Sequence, residues 1–171
     1  MEISYDDGFF FYSSRWMELN RSSTTQTSAW STANGYSGYP DRGANLKTYG
    51  FHIGDMRFGI QDAAVYSKKF FDAEYFLNPL PAYFIQYSKT TMGRPWYSDT
   101  NENNIIGIFW DWVRPGEFSV NAQFLMDDFN LYFLGIGADN PWKAAMTLGG
   151  RMETAGGSFG LSAAGATQFT F

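Results

Sequence analysis

The stretch NIIGIFWDWVRPGEFSVNAQFLM, residues 104–126, decides the fold prediction for this chain. From residue 118 onward, apolar and polar side chains alternate with a period of two, which is the period of a pleated β-strand. The segment Arg114-Pro115-Gly116-Glu117 comes before it. Proline followed by glycine at the two central positions is typical of a type II turn. Together with the apolar run of residues 104–113, the stretch therefore predicts an antiparallel β-hairpin.

The same alternation returns further along the chain. Residues 142–153 alternate apolar with polar side chains, and residues 158–171 do so after the glycine-containing segment 154–157. These predicted strands reach about 9–11 residues or more, which is the length of a tilted membrane-spanning strand. In the N-terminal half, strands are predicted at residues 3–12, 46–53, 56–66 and 79–87. A total of seven or eight strands is close to the smallest closed barrel.

Short turns alternate with long connections in this pattern. The turns are centred on Gly54-Asp55, Pro115-Gly116 and Gly156-Gly157, and the connections cover residues 20–45, 88–103 and 128–141. This alternation is typical of outer-membrane barrels, which have short periplasmic turns and long outer loops. The sequence therefore predicts an all-β chain with one domain over residues 1–171. It is expected to be an antiparallel transmembrane β-barrel, or a section of a larger one, in the lipid of a bacterial outer membrane.

The composition agrees with that class and excludes others. Aromatic residues make up 20% of the chain and charged residues only 17%, while the mean hydropathy of -0.30 fits strands that are apolar on one face alone. A net charge of -5 argues against a nucleic-acid partner, because phosphates are bound by basic surfaces. The absence of cysteine excludes disulfides and thiol chemistry. The first residues do not have a secretory-signal pattern, so an exported protein would have lost its signal or would begin upstream.

Four segments in order resemble one family. They are GIQDAAVY at 59–66, AEYFLNPL at 73–80, NNIIGI at 103–108 and FLMDDF at 124–129. This series is similar to that of the outer-membrane capsule-assembly Wzi family. The resemblance implies a large antiparallel barrel that retains capsular polysaccharide as a lectin and is not an enzyme. Since such proteins are much longer, it also implies that this chain is an interior piece. The chain departs from the family at one position, since Ile53 follows His52 where the family has a His-Arg pair. The fold therefore carries over from the resemblance better than the identity of the ligand does.

An alternative is a complete eight-stranded barrel. Outer-membrane barrels often end in a strand that closes on an aromatic residue, and Gln168-Phe169-Thr170-Phe171 has that form. The interior-piece interpretation is preferred because the family-like segments belong to the middle of longer chains.

Candidate polysaccharide contacts lie in one polar connection. Trp96 and Tyr97 are aromatic residues that could stack on the apolar side of a pyranose, and Asp99 and Asn101 could accept or donate hydrogen bonds to its hydroxyls. The alternative is that these aromatic residues pack on one another or lie at the lipid interface.

Asp127 and Asp128 form a second candidate site. Adjacent carboxylates can contact a cation or a sugar, but neighbours in a strand point to opposite faces. A solvated strand end is therefore the preferred interpretation of this pair.

A pore is the second function considered, with a water-filled lumen lined by polar side chains. The candidate lining residues are Asn121, Gln123, Lys143, Arg151 and Glu153. A soluble β-barrel that binds an apolar ligand is the third. His52 is the single histidine, so neither a hydrolytic triad nor a zinc site can be built around it, and no catalytic residue, metal or cofactor is predicted.

Overall fold

Eight strands form one sheet in the computed structural model, which describes residues 1–20, 42–67, 69–91, 102–128 and 143–167. The strands are β1 (Glu2–Asp6), β2 (Phe10–Asn20), β3 (Arg42–Ile53), β4 (Met56–Ser67), β5 (Glu102–Arg114), β6 (Phe118–Asp128), β7 (Lys143–Thr154) and β8 (Gly157–Ala166). Their order in the sheet is their order in the chain. The predicted all-β class with antiparallel strands is confirmed. Two helices follow β4, namely α1 (Ala73–Leu77) and α2 (Ala82–Thr91), and neither is long and apolar enough to cross a membrane.

The hairpin that decided the fold prediction has the predicted turn. Gly116 has a φ of 79°, a value that glycine adopts without strain, and the Glu117 N–H donates to the Arg114 carbonyl at 3.0 Å. Antiparallel pairs then run from Arg114 opposite Phe118 to Ile106 opposite Met126. The type II turn and both flanking strands are therefore confirmed.

The single strand predicted over residues 3–12 is wrong, because the chain turns within it. Asp6 accepts a hydrogen bond from the Gly8 N–H at 2.9 Å, and Asp7 accepts two, from Phe9 at 2.9 Å and from Phe10 at 2.7 Å. Gly8 has a φ of 86°. Aspartate followed by glycine is a common hairpin signal, and here it separates β1 from β2.

The strand predicted over residues 79–87 is also wrong, because that segment is mostly helical. Pro81 precedes α2, and its carbonyl accepts from the N–H groups of Phe84 at 3.1 Å and Ile85 at 3.3 Å. Proline lacks the donor that a strand ladder needs, but it fits the start of a helix. The aromatic residues and Ile85 of this segment have strand propensity, whereas a proline directly before Ala82 fits a helix start.

The chain divides into two compact units. Unit 1 consists of Met1–Ile3, Ser13–Lys47 and Ala63–Asn104. Unit 2 consists of the remaining ranges, Ser4–Tyr12, Thr48–Asp62 and Ile105–Phe171. The buried hydrophobic cluster belongs to unit 1, where it joins helix and strand residues: Ala64, Tyr66, Tyr75, Ala82 and Ile85.

Gly59 in unit 2 offers a test of close strand packing. A Cβ at this position would lie 2.7 Å from the Gly50 Cα and closer still to the Tyr49 carbonyl oxygen, both of which are backbone atoms that cannot rotate away. We expect Gly59→Ala to lower the free energy of unfolding by about 1–3 kcal/mol, the usual cost of overpacking. The measurement is the urea midpoint of the refolded chain. Gly165→Ala is the control, since a Cβ there would meet nothing within 4 Å, and an equal loss in both variants would contradict the packing argument.

Candidate functional site

One face of β5–β8 in unit 2 is built of apolar residues. The strand registers place residues opposite one another in rows that cross all four strands. Residues in one row share a face of the sheet, and so do rows that are two residues apart. Three successive rows form what we name the apolar face: Trp112, Val120, Gly150 and Leu161; Trp110, Ala122, Leu148 and Ala163; Ile108, Phe124, Met146 and Gly165.

The large aliphatic residues Ile108, Met146, Leu148 and Leu161 of the apolar face are exposed, while its tryptophans and Phe124 are half-buried. The exposed fraction is 58% for Ile108, 53% for Leu148 and 75% for Leu161. Keeping apolar surface in water costs about 25 cal/mol per Å², and soluble monomers rarely expose large contiguous apolar patches. Contact of this face with lipid or with another protein surface is therefore lower in free energy than contact with water.

Aromatic residues gather at the turn end of the apolar face. The rings of Trp112 and Phe118 meet edge to face at 4.7 Å, and the Arg114 guanidinium lies within 6 Å of both ring centroids, at 5.8 and 5.9 Å. A second group surrounds Phe51 near the β3–β4 turn, where Phe58 lies at 6.0 Å. Aromatic side chains at strand ends, with a cation beside them, are typical of the interface between lipid and water.

The opposite face of the same strands is mostly polar. We name it the polar face, with the rows Val113, Ser119, Arg151 and Gly160; Asp111, Asn121, Gly149 and Ser162; Phe109, Gln123, Thr147 and Ala164. Three of the predicted lumen residues, Asn121, Gln123 and Arg151, are thus brought together on it. Glu153, a fourth, lies two residues beyond Arg151 on β7, and its Oε1 atom is 3.7 Å from the Arg151 Nη2 atom.

Cross-strand polar contacts extend the polar face to β4. The Arg57 Nη2 atom lies 2.8 Å from the Asp111 Oδ2 atom, and the side-chain amide of Gln123 donates to that of Gln61. The Arg57 guanidinium also lies 5.8 Å from the centre of the Phe11 ring. The face thus combines charges of both signs, amides and an aromatic ring. Such a surface can line a water-filled channel or form hydrogen bonds with sugar hydroxyls.

The fifth predicted lumen residue, Lys143, belongs to a separate contact with Asp127. The Lys143 Nζ atom lies 3.9 Å from the Asp127 Oδ2 atom, and the Asp127 side chain is only 6% exposed. The expectation of a solvated strand end is therefore wrong for Asp127. The register between β6 and β7 shifts between Met126 and Asp128, and this irregularity re-aims side chains in a way that strict alternation does not predict. The Asp128 side chain lies outside the described residues.

The predicted sugar contacts Trp96, Tyr97, Asp99 and Asn101 lie outside the described residues, so they stay predictions. His52 is described, and its Nε2 atom lies 3.2 Å from the Asp6 Oδ2 atom on the neighbouring hairpin.

A buried charge cluster in unit 1 was not predicted. The Lys89 Nζ atom lies 2.8 Å from the Asp72 Oδ2 atom and 3.9 Å from the centre of the Tyr75 ring, and the Lys89 side chain is 1% exposed. Lys69 contacts the same carboxylate oxygen at 2.5 Å. Burial raises the pKa of Asp72, but the hydrogen bonds and charges of Lys69 and Lys89 outweigh it and hold this pKa below its usual range.

Asp72 is also the N-cap of α1. Its Oδ1 atom accepts from the backbone N–H groups of Glu74 at 2.9 Å and Tyr75 at 3.4 Å. The sequence signal that was available is an aspartate directly before a short helix-forming segment. The lysine partners, one of them 17 residues away, could not be found from spacing alone.

Further hydrogen bonds hold α1 and the segment before α2 to the strands of unit 1. The Ser14 hydroxyl donates to the Phe76 carbonyl at 2.8 Å and accepts from the Asn45 amide at 3.1 Å. Lys47 is fully buried, and its ammonium group donates a hydrogen bond to the Leu80 carbonyl. These contacts satisfy polar groups that would otherwise be costly to bury.

No family model, no curated protein and no solved structure matches this chain. The resemblance of four segments to the capsule-assembly family accordingly stays a prediction. Function is inferred from the two faces of the sheet in unit 2.

Proposed function

We propose that this chain forms part of the wall of an outer-membrane β-barrel of the capsule-assembly type, which binds or organises surface polysaccharide. The observation that supports the membrane location is the two-faced sheet of β5–β8, with exposed apolar rows on one side and polar rows on the other. Lipid-facing and lumen-facing residues alternate in this way in outer-membrane strands.

The strand lengths support the same location. β5 has 13 residues and extends about 43 Å at roughly 3.3 Å per residue. At a tilt of about 45°, such a strand crosses about 30 Å, which is enough for the hydrocarbon core. Common soluble strands have only about 5–6 residues. The aromatic group around Trp112 and Phe118 then lies near one boundary of the lipid.

Refolding tests the membrane location directly. The chain is refolded in detergent micelles and in plain buffer, and both samples are examined by circular dichroism, size-exclusion chromatography and gels with and without boiling. We expect a β-rich species that stays in solution in micelles alone. A mobility that changes on boiling would show that the chain closes into a barrel by itself, and aggregation in both media would favour an excised section of a larger barrel. A monodisperse β protein in plain buffer would overturn the proposal and favour a soluble barrel that binds an apolar ligand.

The polysaccharide part of the proposal is supported by the resemblance and by the residue types at Trp96 and Tyr97. Stacking of an aromatic side chain on a sugar is lost when the ring is removed. We expect Trp96→Ala to reduce the retention of the micelle-embedded protein on immobilised capsular polysaccharide by about tenfold, the factor that corresponds to roughly 1.4 kcal/mol.

Trp112→Ala is the control for that variant, because Trp112 belongs to the apolar face and we expect it to leave glycan retention unchanged. Equal retention by the parent chain and Trp96→Ala would show that Trp96 does not contribute to glycan binding. Absence of retention for the parent chain on every glycan offered would contradict the lectin function and leave the membrane location standing.

A pore is the second candidate, and the charges of the polar face favour it. Asp111 and Arg57 place both signs on that face, within 2.8 Å of each other. We expect a pore to conduct in planar bilayers and Asp111→Asn to shift its selectivity toward anions, because the lining loses a negative charge. A protein that is embedded and retains glycan without conductance is a lectin and not a pore.

A further inference from the structure

Two phenylalanines of unit 2 lie among the polar side chains of the polar face. Phe109 is in the row that also holds Gln123 and Thr147, and the centre of its ring lies 6.1 Å from that of the Phe11 ring. Both residues are half-buried. In the proposed membrane location this face is turned away from lipid, so contact with lipid does not explain the presence of these rings.

Two glycines on the intervening strands make room for the phenylalanine rings. In the sheet, β3 and β4 separate β2, which carries Phe11, from β5, which carries Phe109. A Cβ at Gly50 would lie 2.7 Å from the Phe11 Cε1 atom, and one at Gly59 would lie 2.7 Å from the Gly50 Cα atom. The rings therefore meet over a part of β3 and β4 that has no side chains on this face. Glycine in the interior of a strand often marks a place where a ligand approaches the backbone.

Two pairs of polar side chains flank the rings. The Arg57 Nη2 atom lies 2.8 Å from the Asp111 Oδ2 atom, and the Arg57 guanidinium lies 5.8 Å from the centre of the Phe11 ring. Gln123, which is opposite Phe109, donates through its side-chain amide to Gln61. Guanidinium, carboxylate and amide groups are planar and hold two or more donors or acceptors side by side. Each of them can therefore contact neighbouring hydroxyls of one ligand.

We propose that six residues of unit 2, named here the Phe11 site, bind one neutral pyranose ring of a glycan. They are Phe11, Arg57, Gln61, Phe109, Asp111 and Gln123. This inference deepens the proposed polysaccharide binding, on which it rests, and adds a contact on the sheet to those predicted at Trp96 and Tyr97. A pyranose has an apolar C–H side and a rim of hydroxyls. Aromatic rings surrounded by a few convergent polar groups complement both.

The charges of the Phe11 site favour a neutral sugar over an acidic one. The guanidinium of Arg57 is paired with the carboxylate of Asp111, so the six residues have no net charge. A uronate would either displace Asp111 from Arg57 or lie beside a like charge, which is unfavourable. A hydroxyl can accept from the guanidinium and donate to the carboxylate without breaking the pair, because both groups have unused hydrogen-bonding positions.

Titration with neutral oligosaccharides tests the site. Maltotetraose, cellotetraose and laminaritetraose are each titrated calorimetrically into the micelle-embedded chain. We expect at least one to bind, and Phe11→Leu to raise its dissociation constant roughly tenfold, because leucine fills the space over Gly50 without an aromatic face. Phe11→Tyr keeps that face and should bind as the parent chain does. Phe51→Leu is the matched control, since the Phe51 ring contacts those of Phe9 and Phe10 outside the site, at 5.3 and 5.6 Å.

Asp111→Asn gives a second readout that a purely structural role would not change. It removes the counter-charge of Arg57, whose guanidinium can then form a bidentate contact with a carboxylate of the ligand. We expect tetragalacturonate, an acidic probe, to bind this variant roughly tenfold more tightly than it binds the parent chain. Glu153→Gln is the control, because it removes a carboxylate that pairs with Arg151 outside the site.

The outcomes separate the Phe11 site from the function on which it rests. Equal weakening by Phe11→Leu and Phe11→Tyr would overturn the site, as would tetragalacturonate binding that Asp111→Asn leaves unchanged. Retention of capsular polysaccharide by a chain that binds none of the three tetraoses would also overturn it, and would leave the polysaccharide function standing. An embedded chain that binds neither the tetraoses nor any capsular polysaccharide contradicts the polysaccharide function itself.

Discussion

Replacing Leu148 by arginine is expected to destabilise the refolded protein in a bilayer by about 2–4 kcal/mol, the cost of a cation at the midplane of a membrane β-barrel. Leu148 lies in the middle row of the apolar face, between Ala122 and Ala163, and is 53% exposed. In the proposed location this exposed surface meets lipid. The measurement is the free energy of unfolding in lipid vesicles, from urea titrations followed by tryptophan fluorescence.

Thr147→Arg is the matched control, one residue earlier on β7 and on the polar face opposite Gln123. We expect a change of only about 0.5 kcal/mol or less, since a lumen-facing position accommodates a charge. The contrast between the two variants depends on which side of the strand faces lipid. If both arginines were neutral and Leu148→Arg were more soluble in buffer, the apolar face would be an exposed surface of a soluble protein.

The C-terminal strands were predictable because one physical signal dominates them. Strict alternation identifies a strand that separates two media, and the Pro115-Gly116 and Gly156-Gly157 turns fixed where β6 and β8 begin. The same alternation placed Asn121, Gln123 and Arg151 on one face before any register was known. The strand predicted at residues 79–87 was wrong, because Tyr83, Phe84 and Ile85 have high strand propensity while the prolines before Ala82 fit the start of a helix.

The polar contacts were less predictable than the strands. The register shift between Met126 and Asp128 changes the direction of side chains over one or two residues, and it leaves no mark on the apolar periodicity. The pairing of Asp72 with Lys89 depends on how α1 and α2 pack together in unit 1. Pairings of this kind follow from tertiary contacts and not from local pattern.

Asp72→Asn is expected to lower the free energy of unfolding by about 3 kcal/mol, because it leaves the ammonium of Lys89 buried without its main counter-charge. The Lys89 side chain is 1% exposed and its Nζ atom lies 2.8 Å from Asp72, while Glu74 is more distant at 3.9 Å. Asparagine is as good an N-cap as aspartate, so the substitution removes the charge and keeps the cap of α1. Guanidinium titration gives the free energy, and amide hydrogen exchange in α1 and α2 shows whether the loss is local.

Glu2→Gln provides the comparison for a solvated pair in the same unit. The Arg15 and Glu2 side chains are 53% and 40% exposed, so we expect the free energy of unfolding to fall by about 1 kcal/mol or less, despite a similar distance of 3.0 Å.

The pH dependence of stability shows whether Asp72 acts through its charge or through packing. Because the pKa of Asp72 is lower in the folded state, its stabilisation is complete above the unfolded carboxyl pKa of about 3.9 and is lost as the pH falls toward the folded value. The free energies of unfolding of the parent chain and of Asp72→Asn, measured as a function of pH, are therefore expected to converge below about pH 4. A constant difference across that range would mean that the carboxylate acts through packing and not through its charge.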